Sequence, residues 1–427
     1  MRNLNYNETH GIVIGPEFSR IFAEIILQNI DRKVSDELKR KNRPLINKTD
    51  YEVLRYVDDY FVFYNDDNTK ESVLSSFRHH LKDFKLYLND SKTIPFDRPI
   101  ITEVTVAKQK IEELLKKYLE VEVADEKAPI EETQVLDSDE GETIQKLNRI
   151  NINSKKLIIK FKTIIRESQV HYRDILNYTL SLIERKLAKF LKQKSKGEIV
   201  ISEKAAARYL FELLEFTFFL YSVSPRVNTT IRLCRILRRL IEFVKEEKNI
   251  NTFDLKHLIY KKIFDEIQLT MKKNRSTGRF QMETLYLLIA LRELGREYWL
   301  AEDTLMSYFP AEDSLNYFTI TVLLFYIENK KRYNQLRELI KETILRKFTE
   351  IEKGNRVKHT ELVLLLFDCI SCPFIDESFK RKLLTLHDIK DHDLQSKIIG
   401  FRKFWGTKWT EFDFGKELDS KLSREVY

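Results

Sequence analysis

The chain has 427 residues, of which 43% are hydrophobic, and a formal net charge of +8 at pH 7. This length and composition predict two or three globular domains with ample cores, and they exclude an intrinsically disordered chain. Three cysteines and the lack of a charged-then-apolar leader argue against a secreted disulfide framework and predict a cytoplasmic protein. The longest apolar run, near residues 322–327, is far shorter than the roughly 20 residues that span a bilayer, so no membrane segment is predicted.

The first hundred residues mix helical and strand patterns, which predicts an α+β region. Gly11-Ile-Val-Ile-Gly-Pro-Glu-Phe-Ser-Arg20 leads into a helix with Pro16 near its first turn, where a missing N–H costs nothing. The apolar residues of this helix are predicted to share one face: Phe18, Ile21, Phe22, Ile25 and Ile26. Further along, Leu86-Tyr-Leu-Asn-Asp-Ser-Lys-Thr93 ends a helix-then-strand pattern and carries Lys92, which is suited to meet a phosphate.

Two strand-like runs, 51–56 and 60–64, surround Val57-Asp58-Asp59, where a hairpin is predicted to turn. Asp favours turns, so a plain surface hairpin is one interpretation. The other is a nucleotidyl-transfer site, because such chemistry uses carboxylates to hold two divalent cations about 4 Å apart. Both interpretations are compatible with this stretch alone.

The rest of the chain changes in composition. Residues 125–142 are rich in acids and have almost no large apolar residue, which predicts a mobile linker or surface insertion. From about Thr143 onwards apolar residues recur at three- and four-residue spacing, which predicts an all-helical region. Residues 146–427 carry 53 Lys or Arg against 37 Asp or Glu, a sign that suits a polyanion although it also serves solubility.

The helical region contains weaker signals, each with a structural alternative. Arg232, Arg235, Arg238 and Arg239 are spaced to bind a phosphate backbone, but a solvated helix face is the favoured interpretation. Phe401, Trp405 and Trp409 suit base stacking, but their four-residue spacing favours a core stripe. Cys369 and Cys372 are predicted to be buried packing residues. The Arg166–His171 spacing matches a pattern of HEPN-type ribonucleases, and Arg381–His387 is a looser match.

Three motifs in order, G-I-V-I-G-P-E-F-S-R, Y-V-D-D and L-Y-L-N-D-S-K-T, resemble palm motifs B, C and D of reverse transcriptases. The first motif and the large helical region are most similar to abortive-infection and defence-associated members of the AbiA-like type. The resemblance covers about residues 8–95 and implies RNA-directed DNA synthesis in antiphage defence. It implies Mg²⁺ or Mn²⁺ at Asp58 and Asp59, with nucleic acid and dNTPs as partners, and leaves a homo-oligomer open.

The resemblance also implies roles for neighbouring residues. Tyr56 and Val57 would lie against the primer end, and Lys92 near the incoming triphosphate as a proton donor. The residues that would shape the template and nucleotide pocket are Gly15, Pro16, Ser19 and Arg20. The family's earlier palm Asp and its basic fingers have no counterpart here, so a separate N-terminal fragment is an expected partner, and the chain alone is expected to be inactive.

The predicted organisation is therefore α+β followed by all-α: a partial palm over 1–118, an acidic linker or insertion over 119–145, and a helical, repeat-like domain over 146–427. Two alternatives remain open. One is an inactive palm whose helical domain binds nucleic acid or directs assembly, and the other is a HEPN-type ribonuclease.

Overall fold

The computed structural model describes residues 11–12, 15–96, 98, 100–120, 134–136, 143–145, 152–199, 201–246, 252–276, 282–309, 315–401 and 404–424. The chain divides into two compact units, Met1–Ile100 and Ile101–Tyr427. The described part is mostly helical, with a small two-stranded antiparallel sheet near the N-terminus. This confirms the coarse prediction of an α+β region followed by an all-helical one. No described helix is long and apolar enough to cross a membrane.

The first unit packs two helices and a hairpin around a small core. Its elements are α1 (Glu17–Arg40), β1 (Tyr51–Tyr56), β2 (Asp59–Tyr64) and α2 (Asp67–Lys82). The core takes one residue per turn from each helix, because residues four apart share a helix face: Ile30, Val34 and Leu38 of α1, and Val73, Phe77 and Leu81 of α2. Tyr51 of β1 is also buried there, and the Tyr60 ring lies 4.7 Å from that of Phe77.

Local signals fix the ends of these helices. Pro16, in extended backbone, directly precedes α1, whose first turn contains Glu17 and whose last turn contains Lys39 and Arg40, the charges that complement a helix dipole. Asp66 caps α2 by accepting a 2.9 Å hydrogen bond from the Thr69 amide. After α2 the described chain forms a short 3-10 turn over Asp90–Lys92 rather than the strand that the sequence pattern predicts.

The second unit is built from helices that contact each other in two rows. The successive contacts α3–α5–α7–α9–α11–α13–α15 form one row, and α4–α6–α8–α10–α12–α14 form the other. The bounds are α3 (Glu103–Leu119), α4 (Ser154–Glu167), α5 (Tyr172–Ser195), α6 (Glu203–Val223), α7 (Val227–Glu246), α8 (Thr252–Ser276), α9 (Met282–Glu293), α10 (Glu302–Tyr308), α11 (Tyr317–Ile327), α12 (Asn334–Glu350), α13 (Thr360–Ser371), α14 (Glu377–Leu386), α15 (His392–Gly400) and α16 (Phe414–Arg424).

Helix α3 belongs to this second unit, although the sequence-based boundary at residue 118 assigns it to the first. Its apolar face, which includes Ile111 and Leu115, is buried in the core that α4 and α5 share. Lys186 of α5 also pairs with Glu120 at 2.9 Å. Most of the predicted acidic segment, 119–145, lies outside the described residues. Within it, β3 (Gln134–Leu136) and β4 (Thr143–Gln145) pair antiparallel.

Candidate functional site

The two adjacent carboxylates lie at the tip of the β1–β2 hairpin. Tyr56 pairs with Asp59 in the register, so Val57 and Asp58 form a two-residue connection and Asp59 is the first residue of β2. The prediction of a hairpin turn at this position is therefore confirmed. Asp58 and Asp59 are both exposed, so their carboxylates are open to ligands from solvent.

Val57 has an unusual backbone conformation at this tip. Its φ is +57°, in the left-handed region that β-branched residues rarely adopt. Two-residue hairpin loops need a positive φ at their first position, and glycine usually supplies it. Keeping valine there costs about 1–3 kcal/mol, so the surrounding structure must hold the turn in place.

Arg55 is the side chain that ties the turn to helix α1. It is only 9% exposed, and its guanidinium donates to both carboxylate oxygens of Glu24 at 2.7 and 2.8 Å. Its Nε donates to Asp31 Oδ2 at 2.9 Å, and Nη1 also donates to the Val57 carbonyl oxygen at 3.0 Å. One guanidinium thus joins two turns of α1 to the strained residue of the hairpin. We call Arg55, Glu24 and Asp31 the clamp.

The clamp perturbs the titration of its members. The hydrogen bond from Arg55 lowers the pKa of Glu24 to about 2, and the same interaction raises the pKa of Arg55. Tyr60, which faces inward beside Arg55, has its pKa raised by burial and by the nearby negative charge of Asp31. Glu24 is therefore ionised at neutral pH, and the clamp remains a charged network.

The glycine-motif residues lie at the start of α1. Gly15 has a φ of +118°, which favours glycine, and Pro16 is the residue before the helix. Ser19 is buried, its amide donates to the Pro16 carbonyl oxygen at 3.0 Å, and its hydroxyl has no hydrogen-bond partner among the described atoms. Arg20 forms an ion pair with Glu17 and lies one turn before Glu24. The clamp thus links the helix that follows this motif to the hairpin.

Lys92 is exposed at the end of the 3-10 turn that follows α2. The Asn89 side chain holds this turn by accepting hydrogen bonds from the amide and hydroxyl of Ser91, at 3.1 and 2.6 Å. Arg78 of α2 pairs with Asp90 at 3.1 Å. The turn that presents Lys92 is therefore attached to α2, but among the described residues no hydrogen bond or ion pair joins Lys92 to the hairpin tip.

The donors at the hairpin tip are carboxylate oxygens, the type of ligand that a hard divalent cation binds. Carboxylate oxygens are the protein ligands that Mg²⁺ prefers, and Mg²⁺ commonly uses one or two of them together with waters and substrate phosphates. Among the described residues, no group of three or more His, Cys, Asp or Glu side chains is placed to hold a metal ion. Asp58 and Asp59 could therefore contribute two ligands, with the others coming from elsewhere.

The clamp was not among the residues singled out from the sequence. One signal was available, because Arg55 precedes Tyr-Val-Asp-Asp at an inward-facing strand position, where an unpaired cation would be costly. Its partners, Glu24 and Asp31, are 31 and 24 residues away in sequence. Nothing in the local pattern indicates that they would face Arg55.

The arginine cluster of α7 is occupied by carboxylates of its own chain. Glu184 of α5 is 6% exposed and pairs with Arg235 at 2.7 Å, Arg232 at 3.3 Å and Arg239 at 3.4 Å. Arg235 and Arg238 also pair with Asp419 of α16. The cluster is therefore neither a simple solvated face nor an open phosphate site. It fastens α5, α7 and α16 together.

The remaining sequence signals have plain structural positions. Cys369 and Cys372 are buried, and burial raises the pKa of both thiols, which supports the packing interpretation. Arg166 at the end of α4 and His171 before α5 are both exposed. Arg381 pairs with Glu377, whereas the His387 ring packs against Phe348 and burial lowers its pKa. Comparison with known protein families, curated proteins and solved structures finds no match for this chain.

Proposed function

We propose that this chain is the palm-containing part of a reverse transcriptase, of the abortive-infection type that its motifs resemble. The observation that supports this most is the hairpin tip, where Asp58 and Asp59 are exposed side by side on a turn clamped to α1. A decorative surface turn does not need an arginine whose side chain is only 9% exposed and is shared between two carboxylates and the turn carbonyl. Clamping a strained turn is typical of functional sites, where reacting groups must be held in place.

In this proposal Asp58 and Asp59 hold Mg²⁺ or Mn²⁺. The bound ion would neutralise phosphate charge and activate the attacking 3′-hydroxyl. Tyr56 and Val57 would contact the primer end, and Lys92 would approach the triphosphate of the incoming dNTP. Gly15, Pro16, Ser19 and Arg20 would shape the template and nucleotide pocket at the start of α1.

We further propose that a separate polypeptide completes the site by supplying another carboxylate and basic residues for the triphosphate. A sheet of two strands is marginal by itself, and the outward face of this hairpin leaves Leu54, Phe61 and Phe63 exposed. The first half of α1 also exposes the apolar face that the sequence predicts, with Phe18, Ile21, Phe22 and Ile25 at the surface. Contiguous exposed apolar surface of this kind marks interaction sites.

The helical unit would serve as a nucleic-acid or assembly scaffold in the proposed defence function. Its two rows of stacked helices suit a degenerate helical repeat, in which each pair buries its apolar face against the next. Excess positive charge over residues 146–427 suits a nucleic-acid partner. A homo-oligomer built through this unit is compatible with the same arrangement.

Labelled-dNTP incorporation on a primed RNA template, with Mg²⁺ or Mn²⁺, tests this function. We expect no incorporation by the chain alone, and incorporation once a separate polypeptide that carries another palm carboxylate and the basic residues is added. Asp58→Asn should abolish that activity, whereas Asp67→Asn, which removes an exposed carboxylate from the start of α2, should retain it. Activity that survives Asp58→Asn contradicts the proposal.

Electron paramagnetic resonance of Mn²⁺ added to the full chain distinguishes a metal-binding active site from an inactive palm. A site at the hairpin should bind Mn²⁺ once the separate polypeptide is present, and should lose it in Asp58→Asn. Binding unchanged by Asp58→Asn, together with retained nucleic-acid affinity, would favour the inactive palm with a helical binding module. Metal-independent RNA cleavage that His171→Ala abolishes would instead favour the ribonuclease.

A further inference from the structure

A patch of exposed aromatic side chains lies on the helical unit, at the loop between α15 and α16. Trp405 and Phe404 are each 55% exposed, Phe401 is 48% exposed and Phe367 of α13 is 37% exposed. The Trp405 ring stacks on Phe367, with centroids 4.8 Å apart and planes 29° apart, and lies 6.0 Å and 32° from Phe401. We call these four residues the aromatic platform.

The loop that presents Trp405 is fixed from below by a buried carboxylate. Asp368, next to Phe367 on α13, is 1% exposed and accepts hydrogen bonds from the Gly406 amide at 3.1 Å and the Thr407 amide at 3.0 Å. It also accepts from the Thr407 hydroxyl at 2.9 Å and from the Tyr317 hydroxyl. The same residue therefore holds the backbone directly after Trp405.

Two further observations describe how the backbone after Trp405 is anchored. Trp409 is buried, and its indole Nε1 donates to the Ser371 hydroxyl at 3.3 Å. Gly406 passes so close to Asp368 and Tyr317 that an added Cβ would lie within 2.9 Å of an oxygen of each. Because the backbone from Gly406 to Trp409 is held in this way, Trp405 is displayed outward directly before an anchored stretch of the chain.

The charge of the segment indicates which partner suits the platform. The stretch Phe401–Trp409 contains four aromatic residues and three cations, and no acidic residue. The Lys408 ammonium lies 5.8 Å from the Phe404 ring centre and pairs with Glu417, a partner that it can exchange for a phosphate. The cores of protein interfaces are depleted in charge, whereas aromatic rings interleaved with cations suit single-stranded nucleic acid.

We propose that Phe367, Phe401, Phe404 and Trp405 form a binding platform on which bases of single-stranded nucleic acid stack, with Lys408 meeting the backbone. Stacking on rings tolerates any base, so the platform binds without strong sequence preference. A duplex hides its base faces and binds more weakly. This site is independent of the carboxylates at the hairpin tip.

Fluorescence anisotropy with labelled (dT)20, (U)20 and a 20-base-pair duplex tests the platform in the full chain. Trp405→Ala should weaken single-strand binding about five- to a hundred-fold, the range found for removing one stacking ring. Trp405→Phe keeps a ring and should bind within about threefold of the wild type, as expected if the ring itself carries the binding. Ile159→Ala removes an exposed apolar side chain from α4 and should bind like the wild type.

Tryptophan emission gives a second readout, because Trp405 is the exposed member of the three tryptophans while Trp409 is buried. Binding of (dT)20 should quench the wild-type emission, and Trp405→Phe should lose most of that quenching while it still binds.

The proposal is overturned if the wild type does not bind single strands, if it prefers the duplex, or if Trp405→Ala binds normally. It is also overturned if Trp405→Ala abolishes only self-association in sedimentation. The platform is read by strand binding and the hairpin site by dNTP incorporation, so failure of the platform and failure of the polymerase proposal are distinguishable.

Discussion

Replacing Arg55 by methionine tests whether the clamp holds the hairpin. The substitution keeps an unbranched, flexible stem but shortens the side chain and removes the charge and all four hydrogen bonds to Glu24, Asp31 and the Val57 carbonyl. Breaking a fully buried pair costs about 3–5 kcal/mol. Glu24 and Asp31 remain 40% and 34% exposed, so water can solvate them, and we expect a smaller loss of about 2–3 kcal/mol.

Hydrogen exchange of residues 51–64, read by mass spectrometry, measures this loss locally. At about 1.4 kcal/mol per factor of ten, the amides of β1 and β2 should exchange about thirty- to a hundred-fold faster in Arg55→Met. Tryptophan emission should not change, because Trp299, Trp405 and Trp409 all belong to the second unit. Arg78→Met is the matched control, since it removes an arginine that is 47% exposed and should change exchange less than about threefold.

A double-mutant cycle with Val57→Gly connects the clamp to the strained turn. Glycine accepts the positive φ, which relieves a strain of about 2 kcal/mol, but it adds about 1 kcal/mol of chain entropy to the unfolded hairpin. Val57→Gly alone should therefore slow hairpin opening by about fivefold. In Arg55→Met this gain should shrink, because the unclamped turn can leave the strained conformation. The reasoning is refuted if the exchange rates of residues 51–64 are unchanged in Arg55→Met. It is also refuted if the free-energy effects of the two substitutions are additive in the double mutant.

Three further predictions concern charges inside the two units. The pKa of Glu24 is about 2 in the folded chain against 4.5 in the unfolded chain, so its ionised form stabilises the fold above pH 4.5 and this stabilisation is lost as the pH falls towards 2. The hydrogen-exchange protection factors of residues 51–64 should fall over that pH range. Glu24→Gln should remove this pH dependence. Asp368→Ala leaves buried donors unpaired and should lower the free energy of urea unfolding of the helical unit by about 3 kcal/mol. Asp265→Ala, at an exposed position, should change it by less than about 0.5 kcal/mol. Glu184→Ala should lower the free energy of urea unfolding by about 3 kcal/mol or more, because it leaves the arginines of α7 without their buried partner. Asp419→Ala, at a carboxylate that is 58% exposed, should lower it by less than about 1 kcal/mol. Equal losses of unfolding free energy would contradict the view that Glu184 is the main partner of the cluster.

Several features of this protein follow from the sequence alone, because they depend on neighbouring residues. Alternating β-branched and aromatic residues around Val57-Asp58 predict the hairpin and its turn, and the structure has the turn at that position. Recurring apolar residues predict the helices of the second unit in the same way. The Asp pair and the motifs around it also carry the whole resemblance on which the proposed function rests.

Tertiary structure decides which residues face each other, and here it adds the clamp and changes two interpretations. The clamp joins residues 24 and 31 positions apart from Arg55, and the arginines of α7 meet Glu184 and Asp419 from distant helices. Phe401, Trp405 and Trp409 have the spacing of a core stripe, but α15 ends at Gly400, so helical periodicity does not apply to them. Trp409 is buried there while Phe401 and Trp405 are exposed. Local patterns set secondary structure because they depend on short-range sterics and burial periodicity, whereas partners and exposure depend on how distant elements pack.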